Sequence, residues 1–211
     1  IVGRPNVGKS TLLNHLLGQK LSITSRKPQT TRHQVLGLST VENTQLVYVD
    51  TPGMHLGQSK AINRAMNKAA ASALNDVDLT LFLCDRNKWT DEDDFVLELV
   101  GRQRTPVALV INKVDLMEQK NELLPFTESL SARCEFDAVF PVSALRAQGL
   151  NELANYVAAQ APAGPHLFPE DQITDRSQRF LAAELVREKI VRQLGDELPY
   201  STAVEIEAFK H

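Results

Sequence analysis

The sequence predicts an α/β fold in which a mostly parallel sheet lies between two layers of helices. Three observations carry this. Short apolar runs bounded by turns alternate with longer helical stretches through the first three-quarters of the 211 residues, as strands buried on both faces read. The segment Gly3-Arg4-Pro5-Asn6-Val7-Gly8-Lys9-Ser10 matches G-x-x-x-x-G-K-[ST] at a strand-to-helix junction. Every later motif falls just after a strand, where parallel sheets place their ligands.

Taken in order, the apolar residues before Gly3 end a strand, and Ser10 to Leu17 reads as the helix after it. Val35 to Val41 and Gln45 to Asp50 form a hairpin about Glu42-Asn43-Thr44. Leu79 to Cys84, Val107 to Asn112 and Ala138 to Val142 are the buried parallel strands. Helices are expected near 61–75, 91–103, 121–133 and 150–160. Pro162, Pro165 and Pro169 mark a linker, which divides the chain into domains 1–164 and 165–211. In the second unit, Asp175-Arg176-Ser177-Gln178 resembles a capping box. The helix it opens runs to about Leu194, and Gly195 and Pro199 stop it. Thr202 to Phe209 alternates apolar and acidic residues, the pattern of a half-exposed strand. One helix and one strand cannot make a core, so this unit is expected to be incomplete. Ile1 is not a natural start, and residues upstream are expected as well.

Composition narrows the function classes. The chain is 43% hydrophobic and 23% charged, and no apolar run approaches the roughly 18 residues of a membrane span. Cys84 and Cys134 make no metal spacing, and their scarcity fits a reducing compartment. Up to Gly164 there are 17 basic and 17 acidic residues, and from Pro165 there are 6 and 9. Neither part is the basic body of a strong nucleic-acid binder. Arg26, Lys27, Arg32 and His33 cluster in one loop, which reads equally as a solvated loop or as a phosphate or RNA contact.

The motifs imply a nucleotide. Gly3 and Gly8 allow the tight turn that points backbone N–H groups at phosphate oxygens. Arg4, Pro5, Asn6, Val7 and Thr11 complete the loop. Lys9 brings a cation to the β- and γ-phosphates, and Ser10 offers a hydroxyl to Mg²⁺. In Asp50-Thr51-Pro52-Gly53, the carboxylate can hold Mg²⁺ through water and the Gly53 N–H can sense the γ-phosphate. Thr31 is the expected third oxygen on the metal, with Thr30 the alternative. Asn112-Lys113-Val114-Asp115 selects the base. Asp115 can accept from N1–H and the 2-amino group of guanine, and adenine offers neither donor. A site built around such bonds rejects the analogue lacking them by about 10⁴-fold or more. Ser143-Ala144-Leu145 follows the last strand, where the Ala144 N–H would meet guanine O6. Met54 stands after Gly53, where many GTPases carry a water-orienting glutamine.

Together these motifs resemble the translation-factor-related GTP-binding domains. Pro28-Gln29-Thr30-Thr31-Arg32-His33 is similar to the effector loop of the bacterial Era GTPases. The stretch from Phe168 to Phe180, with Glu197-Leu198-Pro199-Tyr200, resembles the opening of their type II KH RNA-binding domain. The resemblance covers essentially the whole chain. It implies a P-loop GTPase domain followed by the truncated start of an α+β KH domain. It further implies slow GTP hydrolysis as a switch, with Lys9, Thr31 and Asn6 as catalytic residues. Mg²⁺ would be the cofactor, and K⁺ could be held by Asn6, which otherwise reads as a loop residue bonded to its own backbone. The implied partners are GTP and GDP, the 3′ end of 16S ribosomal RNA and the 30S subunit. A monomer in the cytoplasm, partly peripheral on the inner membrane, completes the expectation. The rival reading is a nucleotide-gated binding module in which hydrolysis is incidental.

Overall fold

The computed structural model describes residues 1–24, 31, 33–56, 61–193 and 202–208. The basic loop residues Arg26, Lys27 and Arg32 lie outside these, as do Thr30, Leu194, Gly195, Pro199 and Phe209. The elements are α1 (Lys9–Leu16), β1 (Val35–Val41), β2 (Thr44–Asp50), α2 (Ala61–Ser72), β3 (Thr80–Asp85), α3 (Asp91–Gly101), β4 (Val107–Asn112), α4 (Leu123–Ser131), β5 (Ala138–Pro141), α5 (Leu150–Ala159) and α6 (Gln178–Gln193).

Strands β3, β4 and β5 pair in parallel in that order. Val2 joins them at the β3 edge: its N–H donates to Leu81 O, and Leu83 N–H donates to its carbonyl, both at 2.9 Å. β1 and β2 form an antiparallel hairpin in which Val35 faces Asp50 and Val41 faces Thr44. The two groups meet at Ile1, whose amino group donates to Val49 O at 2.9 Å.

The period of two along β3 and β4 sorts their side chains onto two faces. Phe82, Cys84, Leu109 and Ile111 look towards α2, α3 and α4, where they meet Ala70, Val96, Val100 and Leu130. Leu81, Leu83, Ala108 and Val110 look towards α1 and α5, where they meet Leu12, Leu13, Leu153 and Val157. Both layers are closed, which is why these strands carry no polar face. Thr90 and Asp93 form a reciprocal capping box at the start of α3.

Two expectations for the second unit change. The cap of α6 is Ser177, whose hydroxyl accepts from Phe180 N–H at 3.2 Å. Asp175 is instead drawn to the hairpin, where its carboxylate accepts from Leu36 N–H at 3.3 Å. Around it Thr174 bridges to Gly37, and Leu38 N–H donates to Ile173 O at 2.9 Å. The backbone before α6 therefore extends the edge of β1. Thr202–Ala208 is not a strand, because it pairs with no strand among the described residues. Alternation alone cannot hold an extended segment without a ladder partner.

Candidate functional site

The phosphate loop leaves the sheet after Val2 and returns as α1. Gly8 caps that helix at φ 104°. A Cβ there would lie 2.3 Å from Asn112 Nδ2, so only glycine fits. Gly8 brings no side chain to cap the helix, and Gly8 to Thr11 at its first turn line the cleft. Lys9 is buried there. Its ammonium donates to Gly3 O at 3.0 Å and Arg4 O at 2.9 Å. Burial lowers its pKa to about 8, with the Asp50 carboxylate pulling the other way. A cation cradled by carbonyls in this way is ready to transfer to an anion.

Three oxygens converge at the mouth of α1. Ser10 Oγ donates to Asp50 Oδ2 at 2.8 Å, and Thr31 Oγ1 lies 2.8 Å from Ser10 Oγ. Asp50 is fully buried, and its Oδ1 has no hydrogen-bond partner among the described residues. Burial pushes its carboxyl above the ordinary range, although the Ser10 hydroxyl and the Lys9 charge oppose this. An orphaned carboxylate oxygen beside two hydroxyls suits a small hard cation such as Mg²⁺.

The cleft is walled by Pro5, Asn6, Thr11, Ile23, Thr24 and Gly53. Gly53 packs so closely that a Cβ would come within 2.8 Å of Pro5 Cα. Asn6 is exposed and left-handed, with φ 63°, a conformation asparagine tolerates. Met54 turns its side chain fully into the core beside α2, while its N–H donates to Gly3 O at 3.3 Å.

The base side is tied to the phosphate loop by one side chain. Asn112 Nδ2 donates to Val7 O at 2.7 Å, and its Oδ1 accepts from Ala144 N–H at 2.9 Å. Lys113, at φ 64°, reaches back to Asn6 O at 2.6 Å and Asp85 at 2.8 Å. Asp115 pairs with Arg146 Nε at 3.4 Å, and the Arg146 side chain is largely exposed. Ser143 is buried, and its hydroxyl accepts from Arg146 N–H at 3.2 Å.

The remaining motif residues have partners within the protein. The Ala144 N–H donates to Asn112 Oδ1. The Arg4 guanidinium donates to Asp93 at 2.8 Å and to Lys88 O at 3.2 Å. Val7 and Pro52 are buried, and the Thr51 hydroxyl donates to Ile1 O at 2.8 Å. The side chains of these residues shape the loops instead of lining the cleft. Leu145 is 77% exposed. Ile23 and Thr24 were not legible as cleft residues, since they belong to no motif. Asn67, which clasps the backbone of His55 at both N–H and carbonyl (3.0 and 2.7 Å), was equally hidden.

A loop that exposes N–H groups and a lysine, an oxygen cluster for a divalent cation and a carboxylate at the base end define a P-loop guanine-nucleotide domain on a parallel sheet. Comparison with known proteins makes the class particular. A family profile described as 50S ribosome-binding GTPase matches residues 1–113. GTPase Era of Marinobacter nauticus is 61% identical over all 211 residues, which span 69% of that protein. GTPase Era of Ectopseudomonas mendocina is 59% identical over 210 residues, spanning 70% of it. A crystal structure of Era with MgGDPNP and nucleotides 1506–1542 of 16S ribosomal RNA superposes with a TM-score of 0.89 at 39% identity, covering 94% of this chain and 67% of that one. An Aquifex aeolicus Era variant bound to GDP.AlF4⁻ superposes with a TM-score of 0.88, also at 39% identity. The chain belongs to the Era family of GTPases.

Proposed function

We propose that the protein binds GTP with Mg²⁺, hydrolyses it as a switch, and assists maturation of the 30S ribosomal subunit by binding 16S ribosomal RNA. The observation that carries this reading is the meeting of Ser10, Thr31 and Asp50 beside Lys9 at the mouth of α1. Phosphates would take Lys9 from the Gly3 and Arg4 carbonyls and occupy the open N–H groups of the loop. Ser10 and Thr31 would hold the metal directly, and Asp50 through water. Mg²⁺ supplies charge neutralisation on the phosphates. Gly53 N–H would sense the γ-phosphate, and Asp115 would read guanine in place of its contact with Arg146. Asn112, Lys113, Ser143, Ala144 and Leu145 would keep that reading loop in place. The Mg²⁺ and RNA parts are supported by the related Era structure solved with both.

Met54 is sequestered in the core and cannot orient water. Turnover is therefore slow without help, and the exposed Asn6 at the cleft wall is our candidate for holding K⁺ near the phosphates. The same burial favours a second reading, a binding module with incidental hydrolysis. Residues 1–164 would be the GTPase domain. Residues 165–211 would be the linker and opening of a type II KH domain, a reading supported by the Phe168–Phe180 stretch and by α6. Work as a monomer in the cytoplasm, partly peripheral on the inner membrane, rests on the family resemblance.

Single-turnover GTP hydrolysis in Mg²⁺, with and without 30S subunits, tests the switch. Hydrolysis that is slow alone and faster with subunits is expected, and Lys9→Ala is expected to lose it by about 10²-fold or more. A rate indifferent to subunits favours the binding module. A rate indifferent to Lys9 overturns the site.

A further inference from the structure

The chain leaving β2 is held at both ends of a short stretch, with Gly53 between them at the cleft wall. At the near end Asp50 and Thr51 are buried, and the Thr51 hydroxyl donates to Ile1 O at 2.8 Å. At the far end stands Asn67 of α2. Its Oδ1 accepts from His55 N–H at 3.0 Å, and its Nδ2 donates to His55 O at 2.7 Å. One amide thus takes both backbone groups of one residue, which fixes the orientation of that backbone as well as its place. The His55 ring adds a weaker tie, with Nδ1 3.3 Å from Glu92 Oε1 on α3.

Asn67 belongs to the face of α2 that also buries Met66 and Ala70. A polar group buried on such a face is costly unless it is hydrogen-bonded, and packing alone would be met by an apolar side chain. Between the two anchors, Met54 N–H donates to Gly3 O at 3.3 Å, and the Met54 side chain is fully buried in the core cluster that holds Ala70. Gly3 O is also an acceptor of the Lys9 ammonium, at 3.0 Å. Gly53 lies so close to Pro5 that a Cβ would come within 2.8 Å of Pro5 Cα. From Asn67 through His55 and Met54 to Gly53 the connection is continuous backbone and direct hydrogen bonds.

We propose that Asn67 is a positioning residue for the γ-phosphate: by clasping His55 it sets the place of the Gly53 N–H at the cleft. This rests on the reading of the cleft as a GTP site with Gly53 as its sensor. The clasp and the binding of the γ-phosphate then favour each other, and by linkage each strengthens the other equally. GDP, which makes no demand on Gly53, is indifferent to Asn67.

The test is a titration of the full chain in Mg²⁺ with fluorescent GDP and with a fluorescent non-hydrolysable GTP analogue. Asn67→Ala and Asn67→Asp are compared with the unaltered protein. Asn67→Ala is expected to weaken the triphosphate about fivefold or more and leave GDP unchanged. Asn67→Asp has nearly the same shape and keeps the acceptor for His55 N–H, but it sets an oxygen against the His55 carbonyl. It should also weaken the triphosphate selectively, and it keeps the question open to measurement if Asn67→Ala does not fold. Equal weakening of both nucleotides would make Asn67 merely structural and overturn the proposal. Variants that match an unaltered chain binding both nucleotides would overturn it too, and leave the reading of the cleft standing. An unaltered chain that binds neither nucleotide would defeat that reading itself.

Discussion

The two sides of the cleft are held in different ways. On the base side, Asn112 is buried in the core and joins Val7 to Ala144, while Lys113 joins Asn6 to Asp85. Every one of these residues ends or follows a strand of the central sheet or belongs to the phosphate loop. On the effector side, Thr24 and His33 are held by α6, from more than 140 residues away. The base side is thus tied to the central sheet and the phosphate loop, whereas Thr24 and His33 take their partners from a distant part of the chain. Preorganised sites bind with little reorganisation. On the proposed function, affinity for guanine would reside on the first side and the choice between GTP and GDP on the second.

Breaking the base side should have the largest effect. Asn112→Ala leaves the Ala144 N–H and the Val7 carbonyl without their partner in a buried place, at a cost of about 2–4 kcal/mol. Melting is expected to fall by roughly 5–10 °C, with GTP and GDP weakened alike. A selective loss of one nucleotide would contradict the division between the two sides.

A smaller effect sharpens the comparison at the phosphates. If Asn6 holds K⁺, hydrolysis is faster in KCl than in NaCl at equal ionic strength, a condition that keeps general screening constant. Asn6→Ala should remove that difference and leave nucleotide binding nearly intact, because Lys9 and the loop N–H groups remain. Equal rates in the two salts return Asn6 to a purely structural place in the loop.

The parts legible in the sequence are those where one residue type has one physical use. The phosphate loop, Asp50 to Gly53 and Asn112 to Asp115 all stand where their spacing places them, and the hairpin strand Val35–Val41 falls on its expected residues. What stayed hidden depends on partners distant in sequence. Glu188 reads as an ordinary charged residue on a helix, and only the approach of Thr24 and Lys20 reveals its burial. Asp175 reads as a helix cap, but the edge of β1 competes for its carboxylate and Ser177 takes its place. Ala144 could be placed on its loop but not oriented, since nothing in a tripeptide tells which acceptor its N–H will find.

Guanine selection by Asp115 is the claim on which the rest depends. It is tested most directly by titrating the unaltered protein and Asp115→Asn with GTP and with xanthosine triphosphate. The carboxylate accepts from the guanine 2-amino group, whereas an amide donates to the 2-oxo group of xanthine. The account predicts that Asp115→Asn weakens GTP, strengthens xanthosine triphosphate and leaves the melting behaviour of the free protein nearly unchanged. An Asp115→Asn protein that still prefers GTP by the original margin would contradict it.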